Sequence, residues 1–371
     1  MIIIPASYEV YSNPDPLKKI ERIARICYKS EDKICEGSDI KMIKNLVKRQ
    51  HYAMLEHASV CVEVNPELYN DVMNSLDYTE HTLYDSTFFY SFKKTRKPYL
   101  LFTHLHTQNE NLKDHYVISG NIRAWLEAFE MMAKEFGIPE ALYNVIVEAT
   151  GGEDGPIAFS RPRYEELANS KNIFADYSSK HSNGGYQYCA LIEDVTKLTP
   201  QERIVHEDMT VIFTVDRGVA HELVRMRDCS FAQESTRYCN YASDKFGSNI
   251  TFIKPFEFDN KSHEYWIWSN TMKSIESSYL ALIDNGIKPQ MARSILPNSV
   301  KSTIAVTTNL REWRHIFNLR ACDATGPAHP QMKEVMIPLF KEVRSTYLFA
   351  FTGLKLPGEE NESVKNNMED N

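Results

Sequence analysis

The pattern N-x-R-x-W-x-x-x-F occurs twice in this chain, as Asn121-Ile122-Arg123-Ala124-Trp125 with Phe129 and as Asn309-Leu310-Arg311-Glu312-Trp313 with Phe317. A second echo accompanies it. Residues 58 to 64 and 209 to 216 both read as strands rich in β-branched residues, and each opens after a Glu/His pair, Glu56-His57 in one case and His206-Glu207 in the other. A chain that repeats itself is constrained to build the same supersecondary unit more than once. These matches fit an internal duplication whose first copy lacks the arginine-rich segment described below. Two short matches also arise by chance, and the sequence alone leaves both readings open.

Around these segments the pattern alternates helix and strand. Residues 16 to 28 carry Leu17, Ile20, Ile23, Ala24 and Cys27 at helical spacing, and residues 40 to 50 repeat the stripe before the turn-like His51-Tyr52-Ala53. The apolar run Ile2-Ile3-Ile4 reads as a first strand, being too short for a secretion signal. Residues 140 to 205 are the least regular, with Gly151-Gly152, Asp154-Gly155-Pro156 and a polar run from Ser178 to Gly185, and are expected to form loops and short helices. The polar tail 355–371 has no apolar periodicity and is expected to be disordered.

Chemistry concentrates at Arg225-Met226-Arg227-Asp228-Cys229-Ser230-Phe231-Ala232-Gln233-Glu234-Ser235-Thr236-Arg237. Guanidinium groups present planar, permanently charged forks that match phosphate oxygens, and the serines and amide add uncharged donors that orient a ligand. Such a segment in an acidic protein of net charge −8 points to a phosphorylated small molecule. General nucleic-acid or membrane-surface binders carry a clear excess of Lys and Arg instead. Val219, Leu223 and Met226 form a helical stripe leading into the segment. On a helix of about 3.6 residues per turn Arg225 and Arg227 point roughly 200° apart, so either the helix ends before them or they grip two different ligands. A solvated helix end with surface ion pairs is the competing structural account.

The seven cysteines are odd in number and lack C-x-x-C spacing, so neither a disulfide framework nor a zinc site is indicated. With no stretch near the roughly 18 apolar residues of a membrane span, a reducing, cytoplasmic location without membrane or nucleic-acid partners is the expectation. His104 and His106 could share one face of a strand, but no carboxylate or cysteine stands at ligand spacing and no metal is expected. Cys229 is read as a small, partly buried thiol rather than a nucleophile. Ser235 has no nucleophile elbow around it.

Arg225, Arg227 and Ser235 stand in the register of the flavin-dependent thymidylate synthase signature, Arg-His-Arg followed by seven residues and a serine, with Met226 where that family has histidine. The resemblance extends through Ser230, Gln233-Glu234-Ser235, Arg237 and Tyr238. It continues upstream in His51-Tyr52-Ala53-Met54-Leu55-Glu56-His57, and downstream in Ala292-Arg293-Ser294-Ile295-Leu296-Pro297 and Asn309 through His315 to Asn318-Leu319-Arg320. Four segments in one order make the chain similar to that family.

The resemblance implies an α/β (α+β) fold, a mostly antiparallel sheet flanked by helices, carried by residues 1–61 and 206–350. Residues 62–205 are then a large central insertion, or a degenerate internal repeat. It implies a homotetramer with sites at subunit junctions, and conversion of dUMP to dTMP with methylenetetrahydrofolate, NADPH and bound FAD. A related pyrimidine-nucleotide modifier, such as a hydroxymethylase, or a silent nucleotide-binding homologue are the alternatives. By the same resemblance dUMP contacts fall on Glu222, Arg225, Gln233, Glu234, Ser235, Arg237, Arg293 and Arg320, with Arg320 the catalytic arginine beside the pyrimidine ring. FAD contacts fall on His51, Ala53, Arg225, Met226, Arg227, Asn309, Arg311 and His315. No G-x-G-x-x-G motif is present, so FAD would be held by side chains and helix ends. Trp125, Trp266, Trp268 and Trp313 are expected in the core or at an interface.

Overall fold

The computed structural model describes residues 1–76, 78–84, 89–95, 99–105, 115–135, 137–175, 188–237, 241 and 249–359, with the backbone alone at 74, 78–84, 89–95, 105 and 115. Twelve strands are found among them: β1 (Ile2–Ile4), β2 (Ser7–Tyr11), β3 (Ser59–Val64), β4 (Tyr78–Tyr84), β5 (Phe89–Thr95), β6 (Leu101–Leu105), β7 (His115–Asn121), β8 (Cys189–Leu191), β9 (Asp208–Asp216), β10 (Ser230–Gln233), β11 (Thr251–Ile253) and β12 (Lys301–Asn309). They form an antiparallel six-stranded sheet ordered β4-β5-β6-β7-β3-β8 and an antiparallel four-stranded sheet ordered β10-β12-β9-β2. A parallel pair, β1 with β11, stands apart. The expected α+β architecture is thus present, with two main antiparallel sheets rather than one.

The inner part of the larger sheet, β6-β7-β3-β8, has the same order and register as the smaller one. Ser59 pairs with Asn121 as Asp208 pairs with Asn309, Leu101 with Ser119 as Ser230 with Thr307, and Val62 with Leu191 as Val211 with Val10. The edge strands are exchanged. Strand β2 precedes β3 in the chain but pairs with β9, and β8 precedes β9 but pairs with β3.

Helices cover the sheets because their apolar stripes need a partner. The helix Ile122–Glu135 buries Ile122, Trp125 and Phe129 in a core with Val60 and Val62, while Leu310–Arg320 buries Leu310, Trp313 and Phe317 in a second core with Val211 and Phe213. Each starts from an asparagine cap: the Asn121 carboxamide accepts from Ala124 N at 2.9 Å and that of Asn309 from Glu312 N at 3.0 Å. Each tryptophan then donates its Nε1–H to a strand carbonyl, Trp125 to Val60 and Trp313 to Met209. Trp266, by contrast, is exposed, and its ring stacks with that of His263.

Residues 355–359 are ordered against expectation. Leu356 is buried in the second core, and Glu359 pairs with Arg344 at 3.0 Å. Residues 360–371 lie outside the described residues, as does the run from Ser178 to Gly185. No described helix is long and apolar enough to cross a membrane.

Candidate functional site

The sheets meet around the starts of β3 and β9, where the histidine just before each strand reaches across to the other sheet, and both histidines are buried. His57 Nδ1 lies 2.8 Å from Thr307 Oγ1, and His206 Nδ1 lies 2.6 Å from Ser119 Oγ, with its Nε2 2.8 Å from Thr103 Oγ1. Burial, with a smaller contribution from the charge of Lys19, pushes the His57 pKa down from 6.5 to about 3, so the imidazole is neutral. Between these crossings Ser59 donates its hydroxyl to the Asp208 carboxyl, whose pKa burial raises.

Beside this seam opens a cavity of about 270 Å³. Asn121, Arg123 and Glu127 come from the start of one helix, Asn309 and Arg311 from the start of the other, and Asp228 from the arginine-rich segment. Arg123 is gripped by Glu56 at Nη1 and by Glu127 at Nε, both at 2.7 Å. Arg311 stands 3.6 Å from Asp228. A second cavity of about 410 Å³ is lined by His51, Ala53, Cys27 and Tyr28, and Arg123 lines it too. The two cavities therefore share one arginine.

The residues assigned to FAD divide accordingly. Asn309 and Arg311 line the first cavity and His51 and Ala53 the second, whereas Arg225, Met226, Arg227 and His315 line neither. The helix ends at Leu223, with Val224 as its cap, before either arginine. Asp228, at φ +57, then turns the chain into β10, a left-handed conformation that aspartate tolerates. Arg225 and Arg227 are consequently exposed on a turn and not on a helix, and Met226 packs, half-buried, against the second core.

Of the residues assigned to dUMP, Gln233 to Arg237 and Arg293 gather at the end of β10 and the start of β12, while Arg320 pairs with Glu222 between two helices. Gln233 donates to Ser302 Oγ at 2.9 Å, and Glu234, buried, holds Lys301 Nζ at 2.5 Å. Ser235 N donates to the Cys27 carbonyl, Ser235 Oγ accepts from Arg237 N at 3.3 Å, and Arg293 Nη1 donates to Thr236 Oγ1 at 3.2 Å. Arg320 Nη1 stands 3.4 Å from Glu222, while its Nε is buried with no hydrogen-bond acceptor among the described residues. Arg225, Arg237, Arg293 and Arg320 line neither cavity, so the two ligand sets are adjacent but not gathered into one pocket by this chain. Tyr238 and His106 lie outside the described residues, and no described group of His, Cys, Asp and Glu could hold a metal.

Sequence reasoning missed Arg123, Glu127 and Asp208 as cavity residues. The repeated N-x-R-x-W pattern carried the signal for Arg123, because it sets that residue where Arg311 stands in the other helix.

The family model described as thymidylate synthase complementing protein matches residues 10–66 and 145–347, leaving 67–144 unmatched, a shorter interruption than the motifs suggest. A flavin-dependent thymidylate synthase of Geobacter sulfurreducens is 30% identical over 158 residues, 42% of this chain and 66% of that protein. One from Pyrococcus furiosus is 34% identical over 140 residues, 37% of this chain and 55% of that protein. The chain thus spans just under two thirds and just over half of these relatives. Among solved structures, the UMP/dUMP methylase PolB of Streptomyces cacaoi bound with 5-Br dUMP is 26% identical over 40% of this chain and 74% of its own, with a TM-score of 0.33.

Proposed function

The chain belongs to the family of thymidylate synthase complementing proteins, and from that membership we propose that it is a flavin-dependent thymidylate synthase converting dUMP to dTMP. Methylenetetrahydrofolate serves as carbon donor and NADPH as reductant. The observation that carries the reading is Arg320, a guanidinium fixed beside Glu222 whose buried Nε has no acceptor among the described residues. Buried donors are normally satisfied, and a ligand carbonyl is the natural missing acceptor.

The fit of a flavin can be judged on the donor set. Arginines suit its phosphates, and the carboxylates Glu56 and Glu127 suit ribose or ribityl hydroxyls. The first cavity sits just below the roughly 300 Å³ at which small-molecule pockets begin and the second somewhat above it, both at the small end of the range, so a dinucleotide must extend beyond either one. The residues fit. Asn309, Arg311, His51 and Ala53 would hold FAD, which when bound supplies hydride transfer from the reduced nicotinamide.

The protein's own groups then bind and polarise. Gln233, Ser235, Arg237 and Arg293 orient the nucleotide, and Arg320 lowers the pKa of the pyrimidine N3–H, which raises electron density at C5. Glu234 contributes through its buried pair with Lys301, which fixes the start of the Gln233–Arg237 stretch. Arg225, Met226 and Arg227 reach ligand from the turn. Arg225 and Arg227 are exposed in a single chain, and a second copy laid over the turn, as in a homotetramer, completes the site.

The test is product mass. Purified protein given dUMP, methylenetetrahydrofolate, NADPH and FAD should release a nucleotide heavier than dUMP by one CH₂. A gain of CH₂O instead would establish the hydroxymethylase reading, for which Met226 in place of histidine is the motive. No modified nucleotide, with dUMP still bound, would leave a silent nucleotide-binding protein.

A further inference from the structure

Three independent sets of contacts relate the segments around β3 and β7 to those around β9 and β12. Strand order and register coincide, with Ser59 matching Asp208 and Asn121 matching Asn309. Both helices begin at the matched asparagines, and their first amide donates to matched carbonyls, Ile122 N to Ala58 O at 2.9 Å and Leu310 N to Glu207 O at 3.0 Å. The seam is reciprocal: His57 reaches Thr307, two residues before Asn309, and the matched His206 reaches Ser119, two residues before Asn121. Ser59 meets its own counterpart, Asp208. Contacts in which i meets j′ while j meets i′, and one residue meets its counterpart, define a two-fold interface. Chance recurrence of a short motif does not generate them.

The cavity beside the seam lies on that approximate two-fold, because counterparts line it from both sides. Its walls have diverged. Where the second unit presents Asp228, Ser230 and Thr308, the first presents Tyr99, Leu101 and Gly120. Only the arginines and asparagines are kept, Arg123 facing Arg311 and Asn121 facing Asn309.

The geometry points to a chain that is its own dimer, two related units sharing one ligand cavity, in which Arg123 of the first unit is a cofactor-binding residue paired with Arg311 of the second. Arg123 is suited to this in two further ways. Glu56 and Glu127 hold its Nη1 and Nε, which fixes the guanidinium plane, while Nη2 makes no hydrogen bond among the described residues. It also borders the second cavity, beside His51 and Ala53, so it stands where a ligand passing from one cavity to the other must cross. The unlike walls give that ligand one orientation, its polar edge toward Asp228 and Ser230 and a flat apolar face toward Tyr99 and Leu101. Since the first unit lacks an arginine-rich segment, one site per chain follows.

This inference rests on the flavin reading above, and flavin titration of the purified apoprotein tests the two separately. Wild type should take up one FAD per chain, read from flavin fluorescence and from the absorbance of the released cofactor. Arg123→Gln should weaken FAD binding at least tenfold, to a degree similar to Arg311→Gln, while the melting temperature of the flavin-free protein stays near that of wild type. Should Arg123→Gln melt far lower, Arg123→Lys decides: it keeps the charge between Glu56 and Glu127 but loses the fork, and should still weaken binding. Unchanged affinity in a folded Arg123 variant, or two FAD per chain, would overturn the inference and leave the flavin reading intact. A wild type that takes up no flavin would remove both.

Discussion

Arg320 illustrates how differently a single side chain reads in sequence and in space. Its place in the closing N-L-R stretch was legible from the motif, but only the fold shows that Glu222, nearly one hundred positions earlier, holds one end of the guanidinium while Nε is left unsatisfied. A group that acts mainly on the activated pyrimidine lowers the barrier more than it tightens binding. Arg320→Ala should therefore reduce kcat by roughly a hundredfold or more, the usual loss for one preorganised donor, with FAD affinity unchanged. Arg320→Lys should not restore it, since an ammonium cannot present the planar fork. Near-normal kcat in either variant would remove Arg320 from the mechanism. Met226 stands at helical spacing from Val219 and Leu223 and does pack against the core, yet it does so from the turn, because the helix stops at Leu223. Periodicity cannot distinguish these two ways of burying a side chain.

Among elements, the strands and helices carrying the repeated pattern were recognisable because amphipathic periodicity and asparagine caps are local signals. The pairing of β2 with β9 and of β8 with β3 was not, because edge-strand partnership is decided by contacts more than a hundred residues apart in sequence. The same holds for the seam. His57 appeared as half of a Glu-His pair, and nothing local announced that Thr307 would receive its ring nitrogen. Its burial has a measurable consequence. The folded pKa, about 3, lies below the ordinary 6.5, so between these values the unfolded chain binds more protons and acidification destabilises the fold. Stability owed to neutral His57 is complete above about pH 6.5 and lost as pH falls toward 3. Asp208 works in the opposite direction, since its raised pKa favours the folded state as it takes up a proton. Comparison with His57→Gln isolates the histidine: denaturant melts at a series of pH values should show a shallower acid slope in the variant, and equal slopes would mean that His57 titrates freely.

At the scale of the whole molecule, the exchanged strands tie the two cores together. A fragment ending at residue 187 retains β2 without its partner β9 and β3 without β8, leaving one unpaired strand and one open sheet edge. Expressed alone, it should give no cooperative melt, whereas co-expression with residues 188–371 should recover a soluble complex. A fragment that folds independently would show that the exchange is incidental to stability. The diverged walls of the shared cavity carry a wider implication. In an assembly of two separate identical chains, one gene writes both walls, and any substitution that improves contact on one side is imposed on the other. Joining the two units in one polypeptide gives each wall its own codons, so Tyr99 and Asp228 became independently heritable, and selection could shape one face for the ligand while the other was retained for the fold.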